Sequence, residues 1–386
     1  MTTVLLASDK FKGSLTAAAV TAVVSAGIRR VSDARIVTVP VADGGDGTVA
    51  AAVAAGFARV PVVASGPTGI PVETAYARRG DTAVVEMADV SGLVRLPGGR
   101  REPLTATSRG LGEVVAAAVD AGCTDIVVGI GGSASTDGGA GMVRALGARL
   151  LDAEGAEIAD GGAALAALAA VDLADLGRRL SGVTVTVACD VDNPLLGAHG
   201  AAAVYGPQKG ADSAQVDQLE AALTHWADCV LAATGVDRRN AAGAGAAGGV
   251  GFGTVAVLGA RLRPGIELLL DLVGCAAELT ELSPQDLVVT GEGSLDQQTL
   301  RGKAPAGVAA AASLRGIPVV AICGRTTLDA ARLRAAGIRT AYALSDIEPD
   351  LQRCFDEAGP LLEQLGERLA REQLTPSHPV RQGVAP

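Results

Sequence analysis

Aromatic residues are scarce in this chain of 386 residues, since four Phe, three Tyr and one Trp make up only 2% of it. This scarcity argues against binding modules built from clustered aromatic side chains. Basic residues are also in deficit, with 32 Lys and Arg against 42 Asp and Glu and a formal net charge of −10. Because nucleic-acid phosphates select a basic surface, we expect no DNA or RNA partner.

Cysteines and leader features are sparse as well. The six cysteines lie far apart and form no CxxC pair, which argues against a zinc site or a disulfide-rich scaffold. The first residues carry no basic segment of the kind that opens a signal peptide. Residues 241–260 are uncharged, but seven of them are glycine, so we predict a Gly-rich loop that enters a buried helix. We expect a cytoplasmic protein with reduced thiols and no membrane partner.

Several well-known catalytic signatures are missing. The Walker A pattern is absent because the Gly302-Lys303 pair is followed by Ala304, and neither a GxSxG elbow nor a kinase HRD or DFG motif occurs. No strand opens into a Rossmann GxGxxG pattern. A Ser-His-Asp triad would have to use His199, which is close to Asp190 in the sequence. A role in assisting catalysis is one interpretation of this residue, and a loop histidine without a role is the interpretation that we favour.

What the chain does contain is a repeated strand, loop and helix pattern. Apolar β-branched runs recur, and each is followed by a loop of Gly, Asp or Ser and by an Ala-rich segment, which predicts an α/β fold with parallel sheets. The predicted strands are Val4–Ala7, Arg35–Val41, Asp125–Ile130, Val183–Ala188, Asp286–Thr290 and Pro318–Cys323.

The length favours two domains. Residues 60–105 have short alternating segments with Pro and Gly turns, so we predict mixed or antiparallel strands there and a domain boundary near residue 60. The C-terminal third again predicts a doubly wound sheet. The Pro-containing segment after Gln373 is predicted to be a disordered tail.

The loops after the strands carry the chemistry. In parallel α/β sheets the ligand lies outside the carboxyl ends of the strands, where Gly and free N–H groups suit phosphate. Lys10, Lys12 and Ser14 follow the first strand and suit an anion, although a solvated lysine pair is the alternative. Asp43 and Asp46 follow the second strand and suit Mg²⁺ or substrate hydroxyls, unless they only stabilise a turn.

Two later loops complete the candidate set. Glu292, Ser294, Asp296 and Lys303 supply the acid, hydroxyl and cation that nucleotide phosphates with a metal need. Asp190 follows a buried strand, where it is a possible general base, although Asp192-Asn-Pro can also be read as a simple turn.

The combined motifs closely resemble the type-1 glycerate kinases, in the same order from about residue 3 to about residue 365. The matching segments are Ser8–Ser14 (SDKFKGS), Ala42–Thr48 (ADGGDGT), Gly131–Gly139 (GGSASTDGG), Ala188–Pro194 (ACDVDNP), Tyr205–Gly210 (YGPQKG), Gly245–Gly253 (GAAGGVGFG), Thr290–Asp296 (TGEGSLD) and Gly302–Pro305 (GKAP).

The resemblance implies ATP- and Mg²⁺-dependent phosphorylation of D-glycerate. It also implies a flavodoxin-like α/β domain built from both chain ends, which we place at residues 1–60 and 281–372, with an inserted α/β domain at 61–280. The tail at 373–386 is not matched by the resemblance.

On this basis we assign roles in three groups. The catalytic candidates are Asp190, Lys10 and Lys12. The substrate-binding candidates are Ser14, Asp43, Asp46, Ser133, Ser135, Thr136 and Asp137. The nucleotide-binding candidates are Gly291, Glu292, Gly293, Ser294 and Lys303, with Asp296 and Glu292 as metal ligands.

Three points stay open at this level. The product is expected to be 2-phosphoglycerate, with 3-phosphoglycerate as the second choice. Another small hydroxy-acid or sugar-acid phosphotransferase, or a non-catalytic nucleotide- or metabolite-binding regulator, would share many of these features. The joint presence of Asp190, Asp296 and Lys303 disfavours the regulator. The oligomeric state has no signature in the sequence.

Overall fold

A computed structural model of the chain describes residues 2–374. The predicted tail, residues 373–386, therefore lies outside the described residues from position 375 onward.

The strands alternate with helices along most of this range. In chain order the strands are β1 (Thr3–Ser8), β2 (Arg35–Thr38), β3 (Ala58–Ser65), β4 (Pro71–Arg79), β5 (Thr82–Glu86), β6 (Asp125–Gly129), β7 (Arg149–Leu151), β8 (Ala170–Asp172), β9 (Thr184–Ala188), β10 (Arg261–Arg263), β11 (Leu287–Leu295), β12 (Val319–Thr326) and β13 (Thr340–Ala343).

The helices are α1 (Ala17–Arg29), α2 (Thr48–Ala54), α3 (Met87–Ser91), α4 (Arg109–Asp120), α5 (Ala140–Ala145), α6 (Ala174–Arg179), α7 (Ala201–Tyr205), α8 (Ser213–Thr234), α9 (Ala246–Ala256), α10 (Gly265–Leu272), α11 (Cys275–Thr280), α12 (Ala304–Ser313), α13 (Ala330–Ala335), α14 (Leu351–Asp356) and α15 (Ala358–Gln373).

Two compact units share the chain. The first, here the terminal unit, combines Met1–Val41 with the chain from Gly274 onward. Its sheet has five parallel strands in the order β13-β12-β11-β1-β2. Counted within the unit this is the order 2-1-3-4-5, the flavodoxin-like arrangement, so the predicted fold class is confirmed. The strands are apolar because helices cover them, with α1 and α15 packed together on one face.

The second, here the inserted unit, is the continuous segment Ala42–Val273. Its main sheet has six strands in the order β10-β9-β6-β5-β4-β3. The strands β3, β4 and β5 pair antiparallel, whereas β5, β6, β9 and β10 pair parallel. The mixed sheet predicted for residues 60–105 is therefore observed. The strands β7 and β8 form a separate antiparallel pair.

The two boundaries between the units follow Val41 and Val273, earlier in the chain than the boundaries expected near residues 60 and 280. Helix α2 packs on β4 and β5, and its residues Val49 and Ala52 share a core with Ala77, Val84 and Val127. The segment from Ala42 to residue 60 therefore belongs to the inserted unit. Helix α11 contacts β1 and α12 and so belongs to the terminal unit.

Some element ends also differ from the prediction. The strand predicted to end at Thr290 continues to Leu295, because Glu292 and Ser294 extend the ladder with β12. The second strand ends at Thr38 rather than at Val41. As predicted, the glycine-rich stretch at residues 241–260 leads into a buried helix, α9. Between residues 2 and 374, every helix is too short or too polar to cross a membrane.

Candidate active site

The loop after β1 lies beside the end of β11 in the terminal unit. Ser8 is in register with Gly291, and the Asp9 N–H donates to the Gly291 carbonyl at 2.9 Å. After β1 the chain crosses to β2 on one side of this point, and after β11 it crosses to β12 on the other side. Ligands of doubly wound sheets bind at such a point.

The lysines predicted for this loop differ in their surroundings. Lys10 is half-buried, and its Nζ lies 3.8 Å from Asp9 Oδ1. Lys12 is exposed. The Ser14 hydroxyl donates to the Phe355 carbonyl at 3.1 Å, so this side chain ties the loop to α14. The loop therefore presents one held and one solvated ammonium group.

The next candidates lie on β11 itself or just after it. Glu292 is buried, its Oε2 lies 3.6 Å from Lys303 Nζ, and its Oε1 accepts from the Thr299 hydroxyl. The Ser294 hydroxyl accepts from the Arg325 guanidinium at 3.4 Å. The structure thus brings Glu292 and Lys303 together as an ion pair, and it adds Arg325, which the sequence analysis did not select.

Glycine is required where β11 passes β12. A Cβ on Gly291 would lie 2.3 Å from the Ile322 carbonyl oxygen, closer than any side chain can approach. Gly293 has more room, because its Cβ would lie 3.5 Å from the Lys12 backbone nitrogen. The backbone here approaches both the neighbouring strand and the lysine-bearing loop.

The predicted metal ligands were compared with what a divalent cation needs. Among residues 2–374 no group of three His, Cys, Asp or Glu side chains is arranged to hold a metal ion. Asp296 Oδ1 accepts from the Gln298 N–H at 2.8 Å, and Glu292 faces Lys303. These two carboxylates fit Mg²⁺ only in its usual nucleotide mode, in which phosphate oxygens and water complete the coordination.

An acidic loop, Asp43–Gly47, crosses the carboxyl ends of the parallel strands in the inserted unit. The Gly131 N–H donates to the Gly44 carbonyl at 3.3 Å, and a Cβ on Gly129 would lie 2.6 Å from that same oxygen. Asp43 Oδ1 accepts from the Gly45 N–H at 3.2 Å, so the turn-stabilising role considered for this residue is observed. Asp46 is exposed.

Asp190 lies at the carboxyl end of β9, beside the start of α10. Its Oδ1 accepts from the Gly265 N–H at 2.7 Å. Surrounding protein displaces water from this carboxyl group and raises its pKa to about 6, the Gly265 bond opposes the change, and the nearby Asp43 and Glu267 carboxylates add to it. The residue still has an exposed surface, so a substrate can reach it. A carboxylate with such a pKa suits proton abstraction near neutral pH.

The loop Gly131–Gly139, here the Gly-rich loop, hides most of its side chains. Ser133, Ser135, Thr136 and Asp137 are all buried. Asp137 accepts from the N–H and the hydroxyl of Ser108, both at 2.8 Å, and from the N–H groups of Gly139 and Gly141. Asp137 thus organises the loop from inside, whereas Gly132 is exposed.

Besides Asp9, two buried charged residues were missed by the sequence analysis. Lys209 is 1% exposed and donates from Nζ to the Ser135 carbonyl, and burial lowers its pKa to about 7. Glu86, the last residue of β5, is 5% exposed. Lys209 lies in the Tyr205–Gly210 motif, which was a usable signal. For Glu86 the only signal was an acid at the end of an apolar strand.

His199 and Cys189 lie close to Asp190 in the sequence. His199 is exposed, and its carbonyl accepts from the Asn193 side chain at 2.8 Å, in line with a loop residue. Burial raises the pKa of the Cys189 thiol, which makes this neighbour of Asp190 a poor nucleophile.

Carboxylates, lysines and glycine-rich turns at the carboxyl ends of parallel strands define an α/β enzyme of the phosphotransferase class. A family model described as the glycerate kinase family matches residues 4–374. The chain belongs to the glycerate kinase family.

Curated relatives and one solved structure match nearly the whole chain. The chain is 43% identical over 373 residues to the glycerate kinase of Bacillus subtilis (strain 168), covering 95% of this chain and 96% of that one. It is 44% identical to the glycerate 2-kinase of Escherichia coli (strain K12), covering 88% and 90%. A crystal structure from Salmonella typhimurium LT2, described as glycerate kinase 2, gives a TM-score of 0.83 at 42% identity, covering 96% and 98%. The recognition made from the motifs is confirmed.

Proposed function

We propose that this protein transfers the terminal phosphoryl group of ATP to the 2-hydroxyl of D-glycerate, giving 2-phosphoglycerate and ADP. The observation that carries the proposal is the family match over residues 4–374. The choice of the 2-hydroxyl rests on the relative from Escherichia coli, whose name is glycerate 2-kinase.

Asp190 is the proposed general base. Its carboxylate accepts the proton of the attacking hydroxyl while the oxygen forms a bond to the γ-phosphorus. The bond from that phosphorus to the β–γ bridging oxygen breaks, and ADP leaves with the electron pair. The bond from Gly265 to Oδ1 fixes the carboxylate, and the raised pKa keeps it basic enough to take a proton near neutral pH.

Cations and backbone N–H groups supply the charge neutralisation that phosphoryl transfer requires. We assign Lys10 and Lys12 of the terminal unit to the transferring phosphoryl group. The exposed start of the Gly-rich loop in the inserted unit is assigned to the glycerate carboxylate. Asp43 and Asp46 are assigned to substrate hydroxyls. The buried Ser133, Ser135, Thr136 and Asp137, like Ser14 on its loop, serve binding by holding their loops in shape.

The nucleotide is assigned to β11 and the start of α12. Gly291, Glu292, Gly293, Ser294 and Lys303 form this set, with the Glu292 and Lys303 ion pair at its centre. Glu292 and Asp296 would hold Mg²⁺ together with phosphate oxygens, and the cation, when bound, would neutralise triphosphate charge.

A cytoplasmic location also remains a proposal. It is supported by the cysteines, all of which are free thiols in the structure.

The direct test is to incubate the purified protein with ATP, Mg²⁺ and, separately, D-glycerate, L-glycerate, glycerol and other small hydroxy acids. Phosphorus NMR then identifies each product. We expect 2-phosphoglycerate from D-glycerate and a much slower reaction with glycerol, which lacks a carboxylate. Equal rates with glycerol, or rates unaffected by chelating the metal, would contradict the proposal. A product of 3-phosphoglycerate would correct only the position of transfer.

A further inference from the structure

Glu86 accepts two hydrogen bonds from backbone N–H groups at the start of α2. Its Oε1 accepts from the Gly47 N–H and its Oε2 from the Val49 N–H, both at 3.0 Å. The carboxylate is buried at the end of β5, in register with Gly129 of β6. Both oxygens are therefore committed to the junction between the acidic loop and α2.

This junction needs an acceptor from elsewhere in the chain. The residue that precedes α2 is Gly47, which has φ +92° and no side chain to cap the helix. The first N–H groups of a helix have no partner within the helix and must find one outside it. Glu86 provides that partner from 39 residues further along the chain. Its charge also suits the positive end of the helix dipole.

The opposite end of the same loop is held by the strands that carry the candidate base. A Cβ on Gly44 would lie 2.7 Å from the Ala188 Cβ, and one on Gly265 would lie 2.2 Å from the Asp43 carbonyl oxygen. The acidic loop is therefore held at one end by Glu86 and at the other by β9 and α10. Movement at the Glu86 end would shift Asp43 relative to Asp190.

We propose that Glu86 is a positioning residue for the reaction, which holds the acidic loop so that Asp43 stays beside Asp190. This inference rests on the proposed function, because it takes Asp190 as the base. In this proposal Glu86 touches neither substrate and acts only by holding the acidic loop in place.

The electrostatics around Glu86 agree with this role. Burial raises its pKa to about 7, the bonds from Val49 and Gly47 lower it, and the carboxylates of Asp46 and Asp89 raise it further. Asp89, on α3, is itself paired with Arg95 and accepts from the Thr74 hydroxyl. A proton on Glu86 would place an O–H opposite an N–H donor. The loop should therefore loosen as the pH falls through about 7.

The test compares Glu86→Gln with the control Asp89→Asn. The first variant keeps the size of the side chain but leaves one of the two N–H groups without an acceptor. The second removes the same charge from a neighbour that does not bond the acidic loop. Hydrogen exchange of peptides covering residues 43–52 should be faster in Glu86→Gln and unchanged in Asp89→Asn.

Steady-state kinetics give the functional readout. In Glu86→Gln we expect kcat with D-glycerate to fall by about 10–100-fold, the usual effect of a misplaced catalytic group. KM for ATP should stay within about twofold, since the nucleotide candidates lie on other elements. The pH of half-maximal kcat should move from about 7 toward the value near 6 that Asp190 sets. Glu86→Asp, which keeps the charge on a shorter side chain, should recover part of the loss.

The outcomes separate this inference from the proposed function. Unchanged hydrogen exchange in Glu86→Gln, or faster exchange with normal kcat, overturns the positioning role. If Glu86→Gln does not fold, normal activity and normal exchange in Glu86→Asp would overturn it equally. Failure of the wild-type protein to phosphorylate D-glycerate would instead overturn the proposed function.

Discussion

Asp43 and Asp190 meet at the backbone of Gly265. The Gly265 N–H donates to Asp190 Oδ1 at 2.7 Å, and its Cα faces the Asp43 carbonyl so closely that an added Cβ would lie 2.2 Å from that oxygen. The carboxylate of Asp43 also helps to raise the pKa of Asp190. One glycine thus couples the position of the acidic loop to the proton affinity of the candidate base.

Asp190→Asn is expected to lower kcat by about 10²–10⁴, the usual size of a general-base contribution. The amide keeps the shape and the Gly265 contact but cannot take a proton. In the wild type, kcat should rise with pH as Asp190, with a pKa of about 6, and then Glu86, with a pKa of about 7, lose their protons, and Asp190→Asn should lose the part of the rise near 6.

The control for this prediction is Asp192→Asn, which changes a neighbouring exposed acid in the same loop. It should leave kcat nearly unchanged. Steady-state rates with D-glycerate between pH 5 and pH 8 make the comparison. A nearly normal kcat in Asp190→Asn would move the base to another residue.

Lys209→Met is expected to change how stability depends on pH. Burial lowers the pKa of Lys209 from 10.5 to about 7, so between these values the unfolded chain binds a proton that the folded protein does not. The free energy of unfolding of the wild type should therefore rise with pH relative to the variant, by up to about 1.4 kcal/mol per pH unit.

Urea unfolding of both proteins at pH 7 and pH 9.5 measures this effect. The two free energies of unfolding should diverge in favour of the wild type at the higher pH. A difference that is the same at both values would show that Lys209 is not held in the interior environment described above.

Gly265→Ala is expected to destabilise the inserted unit by about 1–3 kcal/mol, because the new methyl group must displace backbone. The atoms in its way are the Asp43 carbonyl oxygen at 2.2 Å and Asp190 Oδ2 at 2.9 Å. Activity should fall as well, since both acidic residues would shift.

The matched control is Gly177→Ala in α6, where an added Cβ meets nothing within 4 Å. It should stabilise the helix by up to about 1 kcal/mol, as alanine does relative to glycine. The denaturant concentrations at half-unfolding of the two variants, each compared with that of the wild type, measure both effects. Equal midpoints would contradict the close packing at Gly265.

Lys303→Met is expected to raise KM for ATP by about 10–100-fold, the equivalent of one charge-assisted hydrogen bond. Part of the effect arises because the buried Glu292 loses the ion pair with the Lys303 ammonium group. The double variant Glu292→Gln with Lys303→Met should therefore cost less than the two single changes added together. Arg315→Met, at an exposed position after α12, is the control and should leave KM for ATP unchanged.

The sequence was informative where local chemistry decides the structure. Gly, Asp and Ser follow the apolar runs because the chain must turn at the carboxyl ends of parallel strands, so Asp190 and Lys10 could be located beforehand. The end of β11 could not, because pairing with β12 carries Glu292 and Ser294 into a strand. Likewise, α2 belongs to the inserted unit because it packs on β4 and β5. This tertiary contact has no local signal in the sequence.

Partners distant in sequence explain the residues that were missed. Glu86 acts on N–H groups 39 and 37 positions away, and Lys209 acts on a carbonyl 74 positions away. Without its partner, each side chain is an ordinary charged residue that would be expected on the surface. A single sequence does not contain the pairing that makes them interior groups.

The pairing of β1 with β11 has a consequence for synthesis on the ribosome. Val4 to Ala7 are fully buried between β2 and β11 in the completed sheet, yet β11 begins only at Leu287. The inserted segment Ala42–Val273 is continuous and can fold as it emerges, whereas β1 must wait for the second half of its sheet. At about 5–20 residues per second this wait lasts on the order of tens of seconds. During that time the edge of β1 that pairs with β11 has no partner strand, which makes this apolar segment a natural client for chaperones.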